Sequence, residues 1–77
     1  MTPEEADAVK SRLWYARLLA ERDQLQDRID KLQSFILNGG IAFLNLTEDD
    51  RNDLKEQLVH MRRYYAVLVS RLARHSQ

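Results

Sequence analysis

The sequence predicts an all-α fold: a long antiparallel two-helix hairpin that assembles into a helical oligomer. Three observations carry that expectation. After Pro3, neither proline nor glycine occurs until Gly39. Apolar residues recur at alternating spacings of three and four on both sides of that break. Each half also carries more apolar surface than one neighbouring helix can cover.

The elements follow in order. Thr2-Pro3-Glu4-Glu5 forms a capping box, in which the Thr2 hydroxyl accepts from the Glu5 amide and Pro3 brings the fixed φ suited to a first helical position. A helix over about 3–37 is then built mostly of strong formers. Asn38-Gly39-Gly40 stops it, because glycine readily takes the left-handed conformation of a C-terminal cap. The linker over 38–47 is too apolar to be simply solvated, so Phe43 and Leu46 are expected to fold back and plug the hairpin end. Thr47 followed by Glu48, Asp49 and Asp50 starts a second helix over about 48–75, with its acids at the positive end of the dipole. The chain reads as one domain over 1–77.

Leu54, Leu58, Met61, Tyr65, Leu68 and Leu72 lie on one narrow stripe of the second helix. The first helix answers with Leu18, Leu25, Ile29, Leu32 and Ile36, extended backwards by Trp14. Setting Ile36 beside Leu54 and Leu32 beside Leu58 brings Leu18 beside Leu72, which leaves about a dozen N-terminal residues overhanging. That overhang has its own apolar stripe of Val9, Leu13, Ala16 and Ala20, and the second helix has a minor stripe of Val59, Ala66 and Ala73 flanked by Val69. Soluble proteins seldom leave such patches uncovered, so a homo-oligomer is expected, with a heteromeric partner helix as the rival.

Composition narrows the chemistry. A chain of 77 residues has a marginal core of its own and no cysteine to staple it, so the missing support is expected to be another subunit. With only His60 and His75, no imidazole-rich metal site can form in one chain, and neither metal nor cofactor is expected. No apolar run approaches the ~20 residues of a transmembrane helix, and the acidic start is unlike a signal peptide, so a cytoplasmic protein without a membrane partner is expected. The 12 basic and 12 acidic residues balance, which argues against a DNA or RNA polymer as ligand. Their distribution is uneven, because every acid lies at or before Glu56 while Arg62, Arg63, Arg71 and Arg74 follow it. Complementing the helix dipole accounts for part of this, and anion binding is the alternative.

No nucleophile and base, catalytic carboxylate pair or phosphate-cradling loop can be assembled, so no enzyme is expected. Asp23, Asp27 and Asp30 share a solvent-facing strip, where intrahelical partners such as Lys31 suit them better than a metal. The candidate ligand-binding residues are aromatic and cationic: Trp14, Tyr15, Arg28, Lys31, Arg62, Arg63 and Tyr64. Aromatic rings stack bases and Arg or Lys hold phosphates through charge-assisted bonds. Tyr65 falls in the hairpin stripe and reads as core, and Trp14 continues that stripe and reads first as packing. Tyr15, Tyr64 and Lys31 sit off the stripes, which leaves surface placement and ligand contact both open.

Arg12-Leu13, Glu21-Arg22, Leu25, Arg28-Ile29, Lys31-Leu32, Phe35-Ile36, Phe43, Leu46, Gln57-Leu58, Met61, Tyr64, Leu68 and Arg71-Leu72 together resemble a family of small phage proteins related to a crAss-like phage protein. The chain is similar to the anti-CBASS cyclic-nucleotide sponges of tailed phages over about residues 10–74, and the Lys-Leu-x-x-Phe element at Lys31 is the sharpest part of the resemblance. The resemblance implies a compact helical hexamer that binds cyclic dinucleotides at subunit interfaces, in some members cyclic trinucleotides at separate sites, and sequesters them uncleaved in the infected bacterial host. It also implies that Tyr15 and Lys31 contact the dinucleotide. The competing reading is a structural or adaptor helical oligomer that binds a protein partner.

Overall fold

The computed structural model describes residues 2–75, and of residues 7–11 it describes the helical backbone without the side chains. The expected contribution of Val9 to an apolar stripe therefore lies outside the described residues. Three helices follow one another: α1 over Pro3–Asn38, α2 over Gly40–Leu44 and α3 over Glu48–His75.

Helix α1 starts where its capping chemistry begins. The Thr2 hydroxyl accepts from the Glu5 amide at 3.2 Å and the Glu5 carboxylate accepts from the Thr2 amide at 3.2 Å, satisfying two donors that the helix cannot pair internally. The Thr47 hydroxyl performs the same service for α3 by accepting from the Asp50 amide at 3.1 Å.

The segment between the long helices is more ordered than a linker, because five of its residues form α2. The glycine pair divides the work of the turn. Gly39 stays right-handed at φ −70° and its amide donates to the Phe35 carbonyl at 2.8 Å. Gly40 supplies the left-handed step at φ 56°, which redirects the chain at little steric cost. A Cβ on Gly39 would strike the Phe35 carbonyl and crowd the Phe35 ring and the Phe43 Cβ, so the close approach needs glycine there too. Phe43 folds back edge-on to Phe35, with ring centroids 5.7 Å apart, and Leu46 is half-buried, which closes the hairpin tip.

The core is one line between α1 and α3. Leu18, Leu25, Ile29, Leu58, Leu68 and Leu72 are buried, with Tyr15, Leu19, Leu32, Ile36, Met61 and Tyr65 packed around them. Two contacts fix the antiparallel register. Trp14 meets His75 at the open end, with centroids 4.8 Å apart, and Arg62 donates to the Gln33 side chain at 2.9 Å. At 1.5 Å per residue the 36 residues of α1 outrun the 28 of α3, so residues 3–13 project beyond the end of α3. The result is a rod of 60 × 17 × 17 Å.

One detail of the α1 stripe departs from the sequence expectation. The buried and half-buried positions include the unbroken three-four series Tyr15, Leu18, Arg22, Leu25, Ile29, Leu32, Ile36, flanked by half-buried Leu19, Gln26, Gln33 and Phe35, and Trp14 stands outside the series at 40% exposure. Tyr15 is therefore not off the stripe but packed on the core. Arg22 holds a stripe position because its aliphatic stem can lie along apolar surface while its guanidinium reaches Asp23, at 2.9 and 3.0 Å.

Candidate functional site

The seven candidate residues are spread around the rod. Trp14 is the most structured of them: its ring meets that of His75 in a T-shaped contact, and the Arg71 guanidinium carbon lies 5.4 Å from its centroid. That stack ties α1 to the last turn of α3, so a ligand would have to add to it or displace Arg71. Tyr15, one residue on, turns towards the core and is half-buried.

Lys31 stands on the outer face of α1 with its side chain 76% exposed and its ammonium 2.9 Å from the Asp27 carboxylate. It borders a shallow depression with Asp30, Ser34, Phe35, Asn38 and Gly39 beside the hairpin tip. Arg28 and Arg63 are exposed, and among the described residues neither has an ion pair or side-chain hydrogen bond. Their guanidinium groups keep their full donor capacity for an anion.

Arg62 is exposed but engaged, since it donates across the hairpin to Gln33. Tyr64 is 44% exposed and borders a second shallow depression with Asp53, Glu56, Gln57, His60 and Met61. The acids there and the His60–Glu56 contact at 3.4 Å make that depression a poor place for a phosphate.

At 100° per residue, Trp14, Arg28 and Tyr64 fall on the edge of the hairpin marked by the Trp14–Arg71 contact, whereas Arg62 falls on the edge marked by Gln33. Lys31 and Arg63 face outward from α1 and α3. Sixteen residues separate Tyr15 from Lys31 along one straight helix, about 24 Å. One chain thus does not gather its candidates into one pocket, and a site using both Tyr15 and Lys31 needs side chains from more than one chain.

Sequence reasoning missed two residues of consequence. Arg51 donates to the Leu44 and Leu46 carbonyls at 2.9 and 2.7 Å and holds the tip shut. Arg71 completes the Trp14 stack. The Arg71 signal was in the register, which sets the end of α3 beside Trp14, whereas the reach of Arg51 back to carbonyls five and seven residues earlier follows no periodicity.

A family model describing Sequestin matches residues 12–74, the greater part of the chain. The chain belongs to the Sequestin family. The name Sequestin is that of a sequestering protein, which agrees with the resemblance to nucleotide sponges carried by the Lys31-Leu32 element and its surroundings. The Sequestin match contains all seven candidate residues, from Trp14 to Tyr64. No curated protein and no solved structure matches the chain. Among the described residues, no helix is long and apolar enough to cross a membrane.

Proposed function

We propose that this Sequestin-family chain is a phage anti-defence sponge, an oligomer that binds cyclic oligonucleotide second messengers and withholds them without cleaving them. Its ligands are cyclic dinucleotides, cyclic trinucleotides or both, held at interfaces between subunits in the cytoplasm of the infected bacterium. A hexamer is the assembly that the family resemblance favours. Tyr15 would stack a base and Lys31 would hold a phosphate, with Arg28, Arg62, Arg63, Trp14 and Tyr64 as further contacts. No cofactor or catalytic group enters this reading.

The observation that carries it is the Sequestin match over residues 12–74, combined with the separation of Tyr15 and Lys31 by about 24 Å along α1. A sequestering protein whose stacking ring and phosphate cation are so far apart can join them by bringing chains together. Sequestration also requires affinity rather than turnover, which stacking at about 1–3 kcal/mol per base and charge-assisted phosphate bonds can supply.

One observation favours the adaptor reading instead. Leu37, Ile41 and Leu44 at the hairpin tip are 69%, 76% and 67% exposed, and a protein partner could cover them. A thermal-shift screen separates the two. A cyclic nucleotide at a hundred times its Kd adds about 2.7 kcal/mol, which in a chain of this size raises Tm by roughly 10 °C or more. Ligand released by heat should then chromatograph as the intact cycle. Recovery of linear nucleotide would overturn the sponge reading, and no stabilisation by any cyclic di- or trinucleotide would leave the adaptor.

A further inference from the structure

We propose that Asn38-Gly39 is a self-modification site, at which the Gly39 amide nitrogen converts the Asn38 side-chain amide to a carboxylate, and that the closed hairpin tip is the lock that holds the reaction off.

The chemistry needs an asparagine followed by a residue that does not crowd it, with water as the one co-reactant. The Gly39 amide gives up its proton and its nitrogen attacks Asn38 Cγ. The N–Cγ bond forms, the Cγ–Nδ2 bond breaks, and the side-chain nitrogen leaves with a proton as ammonia. Water then opens the five-membered succinimide at either carbonyl. Opening at Cγ gives aspartate, and opening at the main-chain carbonyl gives isoaspartate, whose backbone runs through Cβ and Cγ. Nothing is oxidised or reduced. Of the three asparagines, only Asn38 precedes a glycine, which has no Cβ to obstruct the attack. Asn45 precedes Leu46 and Asn52 precedes Asp53, whose side chains do obstruct it.

The side chain of Asn38 is free to react. It is exposed, and among the described residues its amide has no hydrogen-bond partner. The backbone is what resists. The Gly39 N–H donates to the Phe35 carbonyl at 2.8 Å, so the proton that must leave is engaged. Ring closure also requires Asn38 Cβ to eclipse the Gly39 nitrogen about the Cα–C bond, whereas the helical ψ of the last α1 residue sets those atoms roughly 80° apart. Both obstacles go only when the last turn of α1 unwinds. The tip opposes that unwinding, because Phe43 packs on Phe35 in a T-shaped contact at 5.7 Å and Arg51 ties the Leu44 and Leu46 carbonyls to the start of α3.

The product undoes the tip that delayed it. A carboxylate at residue 38 stands at the negative end of the α1 dipole, and isoaspartate adds a backbone methylene where Gly39 now reaches Phe35. The new charge also enters the depression shared by Asp30 and Lys31, about two turns back along α1. The modification itself does not depend on what that depression binds.

The test holds the full chain, without nucleotide, at mildly alkaline pH, either folded or unfolded in guanidinium chloride. Peptide mass spectrometry follows the three asparagines, and chromatography separates the aspartate and isoaspartate products. Asn38 should convert in the unfolded chain well ahead of Asn45 and Asn52, and at least about tenfold more slowly in the folded chain. Phe43→Ala should speed the folded reaction roughly tenfold by removing the ring that braces the last turn of α1. Tyr15→Ala, which weakens the core near the other end of the rod, should not. Hydrogen exchange at the Gly39 amide should be slowed by folding as much as the conversion is, since both require that amide to be released. An Asn38 that stays an amide in the unfolded chain overturns the site. Equal rates in the folded and unfolded chains overturn the lock, as does equal acceleration by Tyr15→Ala and Phe43→Ala, which would mean that the whole hairpin must unfold. If Phe43→Ala does not fold, exchange in the unmodified chain decides, and conversion faster than the Gly39 protection allows overturns the lock.

Discussion

Tyr15 has two duties in the sponge reading, and its half-buried place on the core separates it from Lys31. Truncating a half-buried aromatic ring removes packing worth roughly 1–2 kcal/mol, so Tyr15→Ala should lower Tm by about 5–10 °C and weaken nucleotide binding as well. Tyr15→Phe keeps the ring, and should preserve both Tm and base stacking. Lys31→Ala loses only an exposed pair with Asp27, a contribution of about 0.5 kcal/mol or less, so thermal melting should barely register it. Calorimetric titration should nonetheless find binding roughly tenfold weaker, because one charge-assisted phosphate bond is gone. Equal affinity of Lys31→Ala and the unmodified protein would remove Lys31 from the site.

At the scale of elements, the tip is where α1, α2 and α3 constrain one another. Gly40→Ala meets open space but must hold a left-handed φ, at a cost of about 1–2 kcal/mol. Gly39→Ala keeps an ordinary φ but drives its Cβ into the Phe35 carbonyl, a backbone atom that moves only if the last turn of α1 moves. Chemical denaturation should therefore rank Gly39→Ala as the more destabilising, with Arg51→Ala loosening the tip by freeing two carbonyls. A neutral Gly39→Ala would contradict that geometry. The long helices were legible in the sequence because capping residues, glycine punctuation and the three-four period all agreed there. The α3 stripe was complete, since its six positions are apolar or aromatic. The α1 stripe was misassigned at Trp14 because Arg22 breaks the apolar lettering, although its stem covers the core as an aliphatic side chain would. Helix α2 was missed because five residues leave no room for periodicity. The candidate cations were visible as residue types only, since exposed side chains owe their positions to partners that periodicity does not encode.

Among the described residues, the rod buries six apolar side chains along one line and leaves Leu13, Val59, Val67 and Val69 exposed. A body so elongated has surface on every flank and little interior, which is why added subunits can stabilise it more than rearrangement of its own two helices can. Leu13 lies on the part of α1 that projects past α3, so nothing within the hairpin depends on its apolar character. Leu13→Asp should therefore leave the far-ultraviolet helical signal of an isolated hairpin intact. If the overhang instead docks on another chain, the new carboxylate must be stripped of water without a partner, at a cost of several kcal/mol per interface. That cost weakens association by roughly a hundredfold or more. Light scattering at micromolar concentration should then find the mass of Leu13→Asp falling towards 9.1 kDa while the unmodified chain remains a multiple of it. If the variant keeps the parent mass, the overhang is not an interface.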